Sequence, residues 1–507
     1  MSGDAPQAWY PRRPRSQREW DARVREVAST VSASWLTDLA PAFDATGAAR
    51  DRLERVARDR GVVVTTGQQP GLFGGPIYTW SKALSALELA DAIERATGVS
   101  TAPVFWAATD DADFAEAAST WVALAGGAQQ LRMPRVAEDA LPMAETPLGD
   151  VSEQLALLAT AARSAIDPAA LDAARRAYHS AATVGGAYLA LLRSLFQPLG
   201  IAVIDASHQA LLAAERPMLV RALERAPEIA IALAERTAAL RQAGHAPQVA
   251  DVDGLSIVFS RTSAKGGVRG KVRVPIADAN SFVARAAATG LSPNVLLRPV
   301  VERAVLPTVA YVAGPGELAY FAQVSAVADS LGAERPLAVA RWSCTIIEPQ
   351  VETLLGRYRV TREELATPHQ VEGRLARAAL APELMNDLTH MREQISATSA
   401  AIRARLANDS LVDPRVVEGV ERQMTWRADH LEQRLVAAAK RRESDTMRDI
   451  ATLRGALYPG GTRQERALNF LPLLARNGRA LVTAMRDAAR EHAESLVERA
   501  PATRPSA

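Results

Sequence analysis

The chain has 507 residues, 48% of them hydrophobic, which is enough to bury more than one core, so we expect two or three domains. Its formal net charge of +2 is close to neutral for this length and gives no reason to expect nucleic acid as a partner. One cysteine excludes a disulfide framework, and seven scattered histidines exclude zinc-ligand spacing, so no structural metal is expected.

The N-terminal segment, residues 1–60, is predicted to be largely helical. No apolar stretch follows its arginines, so the segment has the pattern of neither a signal peptide nor a membrane span, and we expect a solvated tail. These arginines are Arg12, Arg13, Arg15 and Arg18. Together with the lone cysteine, this pattern favours a cytoplasmic protein that has no membrane partner.

Residues 62–82 predict a buried strand, a glycine-rich crossing and a helix opened by Pro76. The glycines let backbone N–H groups approach a ligand, and the helix start adds partial positive charge, so the segment predicts an anion pocket. Its candidate binding residues are Gly67, Gln68, Gln69, Gly71, Gly74, Gly75 and Lys82. Lys82 is a weaker candidate for ligand binding than the loop residues, because two helical turns separate it from the glycine-rich loop. A tight turn with no ligand is the alternative.

Strand patterns then alternate with helical ones, which predicts an α/β fold with a mostly parallel sheet covered on both faces. Ligands of such sheets bind outside the carboxyl ends of the strands. The glycine-rich turns and a group of acids all follow strands, so we expect them to converge on one crevice. The predicted strands are residues 62–65, 104–108, 201–205, 309–313 and 337–340.

Four carboxylates follow the second predicted strand. Asp110, Asp111 and Asp113, with Glu116 one turn later, would repel one another unless a cation or an amine lay between them. The cluster is therefore a candidate seat for the ammonium group of a substrate or for Mg²⁺ with its waters. An acidic cap that only stabilises the following helix is the alternative.

A second strand, glycine turn and helix arrangement occurs at residues 309–321. Its candidates are Gly314 and Gly316 in the turn, Glu317 to orient an amine, and Tyr320 one turn further on. Arg298 is a candidate carboxylate fork, because arginine pairs bidentately with planar anions. A helix cap and an arginine that only bridges parts of the fold are the alternatives.

Two segments interrupt the alternation and are predicted to be insertions that wall the pocket. Residues 120–150 have an irregular pattern. Residues 248–275, with the Gly266-Gly267 pair between apolar runs, predict a β-hairpin.

Residues 378–455 predict a long antiparallel helical hairpin, because apolar residues follow heptad spacing on both sides of a break at 408–414. Arg427 and Arg434 fall on the predicted seam of the second arm. The hairpin therefore either packs on its own core or dimerises through this arm. The seam comprises Leu384, Leu388, Met391, Ile395, Thr398 and Ile402 on the first arm, and Val417, Val420, Met424 and Leu431 on the second.

Four ordered motifs resemble those of the cysteine-adding enzymes of bacillithiol biosynthesis, also called cysteine ligases. They are TGQQPGLFGGPIYT at residues 66–79 together with Lys82, PVFWAATDDADFAE at 103–116, LLRPVVE and LPTVAYVAGPGELAYF between 296 and 321, and QERALNFLP at 464–472. The chain departs from the family at Ala112, where the family pattern has a histidine. Residues 464–466 of the last motif are expected to staple the C-terminal helix to the core rather than to close the site.

The resemblance implies a Rossmann-like core at residues 61–377, a coiled-coil arm at 378–455 that supports a homodimer, and a C-terminal helical segment at 456–507 that packs on the core. The implied reaction joins the carboxyl group of cysteine to the amine of glucosaminyl-malate, which completes bacillithiol. Activation by ATP with Mg²⁺ is inferred from the chemistry, because a free carboxylate is a poor acyl donor. The sequence contains no recognisable ATP-binding motif, so this inference rests on the chemistry alone. Asp111, Asp113 and Glu317 are the candidate catalytic residues.

Two other functions stay open at this point. The departure at Ala112 makes another amide-forming or nucleotidyl-transferring enzyme on the same core an alternative, and a non-catalytic coiled-coil scaffold is the second. Cys344 lies in an apolar stretch and is given no catalytic role.

Overall fold

The computed structural model describes residues 7–134, 141–163, 165–250, 252–263, 269–286, 290–407 and 412–497. The chain divides into two compact units, the first made of residues 1–121, 130–344 and 465–507, and the second of residues 122–129 and 345–464. The units divide at residue 344, whereas the arm was expected to begin at residue 378. Residues 345–377 belong to the second unit because they pack on its hydrophobic core.

The strands are β1 (Val62–Gln68), β2 (Thr101–Ala107), β3 (Ser119–Leu124), β4 (Gly127–Arg132), β5 (Ala202–Asp205), β6 (Leu255–Ser263), β7 (Arg269–Pro275), β8 (Gly290–Pro293), β9 (Thr308–Ala313) and β10 (Ala338–Ala340). The helices of the first unit that precede residue 345 are α1 (Gln17–Thr30), α2 (Trp35–Phe43), α3 (Gly47–Asp59), α4 (Ile77–Thr97), α5 (Phe114–Ala117), α6 (Ser152–Ala162), α7 (Ala169–Ala177), α8 (Val184–Phe196), α9 (Gln209–Glu224), α10 (Ala226–Gln242), α11 (Ala279–Ala284), α12 (Arg298–Val305) and α13 (Pro315–Ser330).

The remaining helices are α14 (Pro349–Tyr358), α15 (Arg362–Ala366), α16 (Gln370–Ala378), α17 (Pro382–Leu406), α18 (Pro414–Arg442), α19 (Ser444–Leu457), α20 (Gln464–Ala467) and α21 (Leu471–Val497). Short 3₁₀ turns lie at Gln7–Trp9, Leu72–Gly74, Gln197–Leu199, Ile276–Asp278 and Pro459–Gly461.

The core of the first unit is a five-stranded sheet in the order β10-β9-β1-β2-β5, in which every neighbouring pair is parallel. All five strands predicted from the sequence are confirmed, and so is the α/β class. The chain moves from β1 towards β2 and β5, then returns to the other side of β1 at β9. The strand order therefore switches between β1 and β9, which is where open α/β sheets bind ligands.

The apolar run of β1 is buried on both faces of this sheet. Val62 and Val64 pack with α1, α4 and α21 on one face, and Val63 packs with α2 and α3 on the other. The alternation follows from the two-residue period of a strand, and burial of each valine contributes roughly 1.5–3 kcal/mol. Covering both faces leaves the ends of the strands as the place for a cavity.

The two predicted insertions have different structures. Residues 255–275 form the expected β-hairpin of β6 and β7, which β8 extends to an antiparallel three-stranded sheet. Its Gly266-Gly267 pair lies outside the described residues. The irregular structure expected for residues 120–150 is wrong at its start, because β3 and β4 pair there around Gly126 and Gly127, which both have positive φ.

The second unit contains the expected helical hairpin, formed by α17 and α18. Ion pairs from Arg392 to Glu432 and from Arg403 to Glu421 show that the two arms run antiparallel. Most of the predicted seam is wrong, however, since the side chains that are buried are Leu388, Ser399, Ala428, Val436 and Ala439. Of the predicted seam, Val420, Met424 and Leu431 are exposed on α18. The buried residues of the hairpin are mostly small, and ion pairs also link its two arms. Most of the apolar residues at the predicted heptad positions are instead exposed to solvent.

Candidate active site

A cavity of about 300 Å³ lies at the switch point, beyond the carboxyl ends of β1, β2 and β9. It draws together residues that are far apart in the sequence. The predicted site residues that line it are Gly67, Gln68, Gln69, Lys82, Asp111, Arg298, Gly314, Gly316, Glu317 and Tyr320. The predicted residues Gly71, Gly74, Gly75 and Asp113 are not among the residues described around it.

A larger cavity of about 1040 Å³ shares Pro315 and Arg341 with the first. Its wall is mainly apolar, with Leu240 and Leu318 among the lining residues. Of the predicted arginine tail, Arg12, Arg13 and Arg15 lie exposed at this cavity, and Arg18 is exposed but is not among the lining residues. We place the chemistry in the smaller cavity, because five cationic and four carboxylate side chains line that one.

Lys82 and Glu317 connect the two glycine turns. The Lys82 Nζ lies 2.5 Å from Glu317 Oε2 and also donates to the Gly67 carbonyl at 2.8 Å and to Gln68 Oε1 at 3.0 Å. Lys82 is only 3% exposed. Tyr78 lies one helical turn earlier on the same face of α4 and lines the cavity as well. Two turns of helix therefore do not carry Lys82 out of the pocket.

The Glu317 carboxylate holds the second turn. It accepts hydrogen bonds from the Gly314 N–H at 2.8 Å and from the Tyr311 hydroxyl at 2.9 Å. Burial raises the pKa of Glu317, but the Lys82 charge and these hydrogen bonds outweigh it and hold the pKa below its usual value. Glu317 is therefore ionised at neutral pH. The first-turn N–H groups of α13, including that of Gly316, point to the helix start, where the helix itself supplies no acceptor.

The acid cluster after β2 is divided between two tasks. Asp110 pairs with Lys271 of β7 at 2.8 Å, so the hairpin insertion contributes to the wall. Asp111 accepts from the Gln69 amide at 2.8 Å and from the Asp113 N–H at 2.9 Å, and forms no ion pair with a described residue. Asp113 caps α5 by accepting from the Glu116 N–H at 3.1 Å. The acidic-cap alternative thus fits Asp113, while Asp111 faces the cavity.

Glu116 completes the acid wall. Partial burial of its carboxyl group and repulsion from Asp113 and Asp111 raise its pKa, and the charges of Lys82 and Arg466 partly offset the rise. Ala112 is not among the residues described around the cavity. Residues 142–144 support the cluster from behind, because the N–H of Met143 donates to the Asp111 carbonyl. In the described part of residues 120–150, none lines the cavity itself.

The first glycine turn does not offer the bare N–H groups that were predicted. The Gly74 N–H donates to the Gly71 carbonyl, the Gly75 N–H to the Leu72 carbonyl, and the Ile77 N–H at the start of α4 to the Leu468 carbonyl. The N–H groups of Gly74, Gly75 and Ile77 are therefore already bonded and are not bare as expected. The glycines serve the turn itself: Gly74 and Gly75 have φ of 84° and 77°, and a Cβ on Gly71 would lie 2.8 Å from the Gly75 Cα.

Asn469 holds this turn, and the sequence alone did not single it out. Its side-chain amide is buried and donates towards the carbonyls of Leu72, Phe73 and Gly75 at 3.3, 3.1 and 3.2 Å. Phe73 needs such support because its φ is 53°, a left-handed conformation that is strained for a bulky residue. The C-terminal motif therefore stabilises the N-terminal motif.

The same C-terminal motif reaches the cavity. Glu465 accepts two hydrogen bonds from the Arg341 guanidinium, both at 2.8 Å, and Arg341 lines both cavities. Arg466 lines the smaller cavity directly. Gln464 instead bonds the backbone of Ile346 and Ala456 within the second unit. Glu465 thus ties this segment to Arg341, as expected of a staple, but Arg466 also lines the cavity.

Two buried acids lie outside the cavity lining. Glu302, one turn after Arg298 on α12, is 1% exposed, and its Oε2 has no hydrogen-bond partner among the described residues. Burial raises the pKa of Glu302 to about 7 and raises the pKa of Glu215 well above its usual range. At neutral pH the Glu302 carboxyl group is therefore about half protonated, whereas the Glu215 side chain is held largely protonated.

Metal and thiol chemistry find little support in the side chains. Across the residues that the structure describes, no group of three or more His, Cys, Asp or Glu side chains could hold a metal ion. The Cys344 thiol is partly buried, and burial raises its pKa to about 11, so it remains a thiol at neutral pH.

A parallel sheet with a charged cavity at its switch point defines a Rossmann-like protein, and this is the place where such sheets bind ligands. Residues 4–262 and 281–342 match the N-terminal Rossmann-like domain of the bacillithiol biosynthesis protein BshC, and residues 344–495 match its C-terminal coiled-coil domain. The chain belongs to this family.

Curated relatives cover most of the chain. Proteins named "Putative cysteine ligase BshC" are 31% identical over 84% of this chain in Solibacter usitatus, which is 82% of that protein, and 32% identical over 87% of this chain in Koribacter versatilis, which is 85% of that protein. A relative of the same name from Salinibacter ruber is 27% identical over 96% of this chain and 91% of its own length. No helix in the described ranges is both long and apolar enough to cross a membrane.

Proposed function

We propose that the smaller cavity joins the carboxyl group of cysteine to the amine of glucosaminyl-malate and so forms an amide. One observation carries this proposal: the cavity has acids without ion pairs on one part of its wall and arginines without ion pairs on another. Within the described residues, Asp111 and Glu116 are such acids, and Arg298 and Arg466 are such arginines. Substrates that carry both an amine and carboxylates complement this distribution. The names of the relatives support cysteine as one substrate.

The acid wall is proposed to seat the amine. Asp111 is held in place by Gln69 and by the Asp113 N–H, so its carboxylate is oriented before substrate arrives. In the reaction, the amine nitrogen forms a bond to the activated carboxyl carbon of cysteine and gives one proton to a carboxylate of this wall. The bond from that carbon to the activated oxygen breaks, and this oxygen leaves with the activating group. A positioned general base contributes about 10²–10⁴-fold to such a step.

The other part of the wall is proposed to hold the cysteine carboxylate and to stabilise the negative charge that develops on its oxygen. Arg298 has a buried Nε without a hydrogen-bond partner in the described ranges, and its guanidinium lies at the cavity. The helix start of α13 adds N–H groups. Because Glu317 is tied to Lys82 and the Gly314 N–H, we assign it to holding this helix start in place.

ATP with Mg²⁺ is proposed as the activator, because one oxygen of the cysteine carboxylate must leave with a better leaving group than hydroxide. The side chains fit the phosphates better than the metal: Arg13 and Arg15 rim the adjoining larger cavity without ion pairs to described residues. With no cluster of metal ligands among the described residues, Mg²⁺ would enter on the phosphates and take one or two carboxylates at most.

The test is mass spectrometry of products from purified protein with cysteine, glucosaminyl-malate, ATP and Mg²⁺, leaving out each component in turn. The proposal predicts a product of the combined mass less one water, which depends on all four components. If the protein prefers another amino acid to cysteine, the result favours the alternative that it is a different amide-forming enzyme. The departure from the family pattern at Ala112 is what keeps that alternative open. Absence of any amide from folded protein would contradict the proposal.

The activation step has its own readout. With ¹⁸O in the cysteine carboxylate, one labelled oxygen should appear in AMP if an adenylate forms, or in inorganic phosphate if an acyl phosphate forms. Product that forms without ATP, and without transfer of label, would exclude ATP as the activator.

Assembly and location are further parts of the proposal. The exposed apolar residues of α18 support a homodimer through the helical arm. The cytoplasmic location stays a prediction from the sequence.

A further inference from the structure

Arg466 is a cavity cation that the fold leaves without a partner. Its side chain is exposed at the wall and forms no hydrogen bond or ion pair with any residue in the described ranges. Three other cations of the same cavity are neutralised by carboxylates of the protein. These pairs are Lys82 with Glu317, Lys271 with Asp110, and Arg341 with Glu465.

The backbone that carries Arg466 is anchored on both sides. Glu465 is fixed by two hydrogen bonds to Arg341, and Asn469 is buried against the glycine turn. The guanidinium is therefore presented from a rigid segment, so little backbone entropy is lost when it binds an anion. A solvated surface arginine would not need such anchoring.

The position of Arg466 relates it to the acid wall. Its charge acts on Glu116 and on the Tyr78 hydroxyl, although no Arg466 nitrogen comes within 4.0 Å of a Glu116 oxygen as an ion pair would require. Arg298, by contrast, acts electrostatically on Tyr311, Tyr320 and Glu317. The two cavity arginines without ion pairs to described residues thus have different neighbours, and the one beside the amine seat is Arg466.

We propose that Arg466 binds a carboxylate of the amine-bearing substrate and thereby selects acceptors that carry an anionic arm. This inference rests on the proposed amide formation at the same cavity. The acceptor would place its amine against Asp111 and Glu116 and its carboxylate against Arg466. A guanidinium offers two parallel N–H donors to a carboxylate, which lysine cannot reproduce.

The experiment compares glucosaminyl-malate with methyl glucosaminide, which has the amine but no carboxylate, in wild type, Arg466→Gln and Arg466→Lys. Loss of a charge-assisted contact should lower kcat/KM for glucosaminyl-malate about 10- to 100-fold in Arg466→Gln. The preference over methyl glucosaminide should fall by the same factor, with the loss mainly in KM. Arg466→Lys should recover only part of it.

Arg463→Gln is the matched control, because this exposed arginine lies three residues earlier and is not among the residues described around the cavity. It should retain the wild-type preference. An Arg466→Gln variant that loses the same factor with both acceptors, or that keeps the preference, would overturn the proposal.

Binding of L-malate by calorimetry separates this proposal from the reaction itself. If no amide forms but wild type binds malate and Arg466→Gln binds it at least about tenfold more weakly, the proposed function fails and the anion site stands. Equal binding of malate by wild type and Arg466→Gln would show that Arg466 does not recognise the carboxylate of the acceptor. The same conclusion would follow if neither protein bound malate and the acceptor preference were unchanged.

Discussion

Lys82 shows how one residue can join two motifs that lie more than 200 positions apart. Its ammonium group contacts the end of β1 and the carboxylate at the start of α13. Sequence spacing gave a usable signal, since Tyr78 and Lys82 are four residues apart and share a helix face. The signal was insufficient because the direction of that face depends on how α4 packs against the sheet.

Glu302 offers a residue-scale test through pH. Burial raises its pKa to about 7 from an ordinary value of 4.5, so the folded protein keeps a proton that the unfolded chain loses. The stability contributed by the protonated form is complete below pH 4.5 and is lost as pH rises through about 7. The slope over this window is about 1.4 kcal/mol per pH unit.

We predict that Glu302→Gln becomes more stable relative to wild type as pH rises, because the amide has no proton to lose. Between pH 5.5 and 7.5 the difference in unfolding free energy should change by about 2 kcal/mol in favour of the variant. Urea unfolding at several pH values measures it. Exposed Glu228→Gln is the control and should follow wild type. A difference for Glu302→Gln that does not vary with pH would contradict a raised pKa.

At the scale of elements, the glycine turn between β1 and α4 depends on a single buried amide. Three carbonyls of the turn accept from Asn469, and Phe73 is held with positive φ beside it. Gln68 and Gln69, where β1 leads into this turn, line the cavity. A change at Asn469 should therefore affect both stability and binding, although Asn469 is not among the residues described around the cavity.

We predict that Asn469→Ala lowers the free energy of unfolding by about 2–4 kcal/mol, because buried carbonyls lose their donor. The KM for substrate should rise as Gln68 and Gln69 lose their fixed positions. Chemical denaturation and steady-state kinetics measure the two effects. Asn280→Ala, at an exposed position of α11, should change neither. Wild-type stability of Asn469→Ala would show that the turn holds itself.

The strands and their alternation with helices could be predicted from the sequence, because a short uninterrupted apolar run such as residues 62–64 is typical of a buried parallel strand. The convergence of the turns and acids at one edge also followed from parallel topology. Contacts between distant segments could not be predicted, because no local pattern at Asn469 or Glu465 indicates that they bond the glycine turn and Arg341. The same limit applies to hydrogen bonds, which is why the N–H groups of Gly74, Gly75 and Ile77 were expected to be free.

For the whole molecule, the helical arm determines the expected assembly. Its second helix exposes an apolar stripe that includes Val416, Val420, Met424 and Leu431, at 54%, 50%, 48% and 42% exposure. An apolar face of this kind is costly in water and is typical of an interface. The single chain buries other residues of the arm, so the stripe remains available to a second copy.

We predict that the protein is a dimer at micromolar concentration and that Val420→Glu combined with Met424→Glu makes it a monomer. Two buried carboxylates at the interface would each cost several kcal/mol, and the helices themselves should persist. Light scattering coupled to size exclusion measures the mass, and circular dichroism checks the helices. Gln423→Glu, at an exposed neighbouring position, is the control for added charge. A monomeric wild type would contradict the dimer.

The most direct test of the cavity as the active site is the turnover of Asp111→Asn compared with Asp113→Asn. The two acids are neighbours in one cluster, but Asp111 lines the cavity and Asp113 caps α5. We predict that Asp111→Asn lowers amide formation at least about 100-fold without unfolding the protein, as expected for loss of a positioned base. Asp113→Asn should stay within a few fold of wild type, because asparagine also caps helices. Equal turnover in the two variants would contradict the assignment of the acid wall.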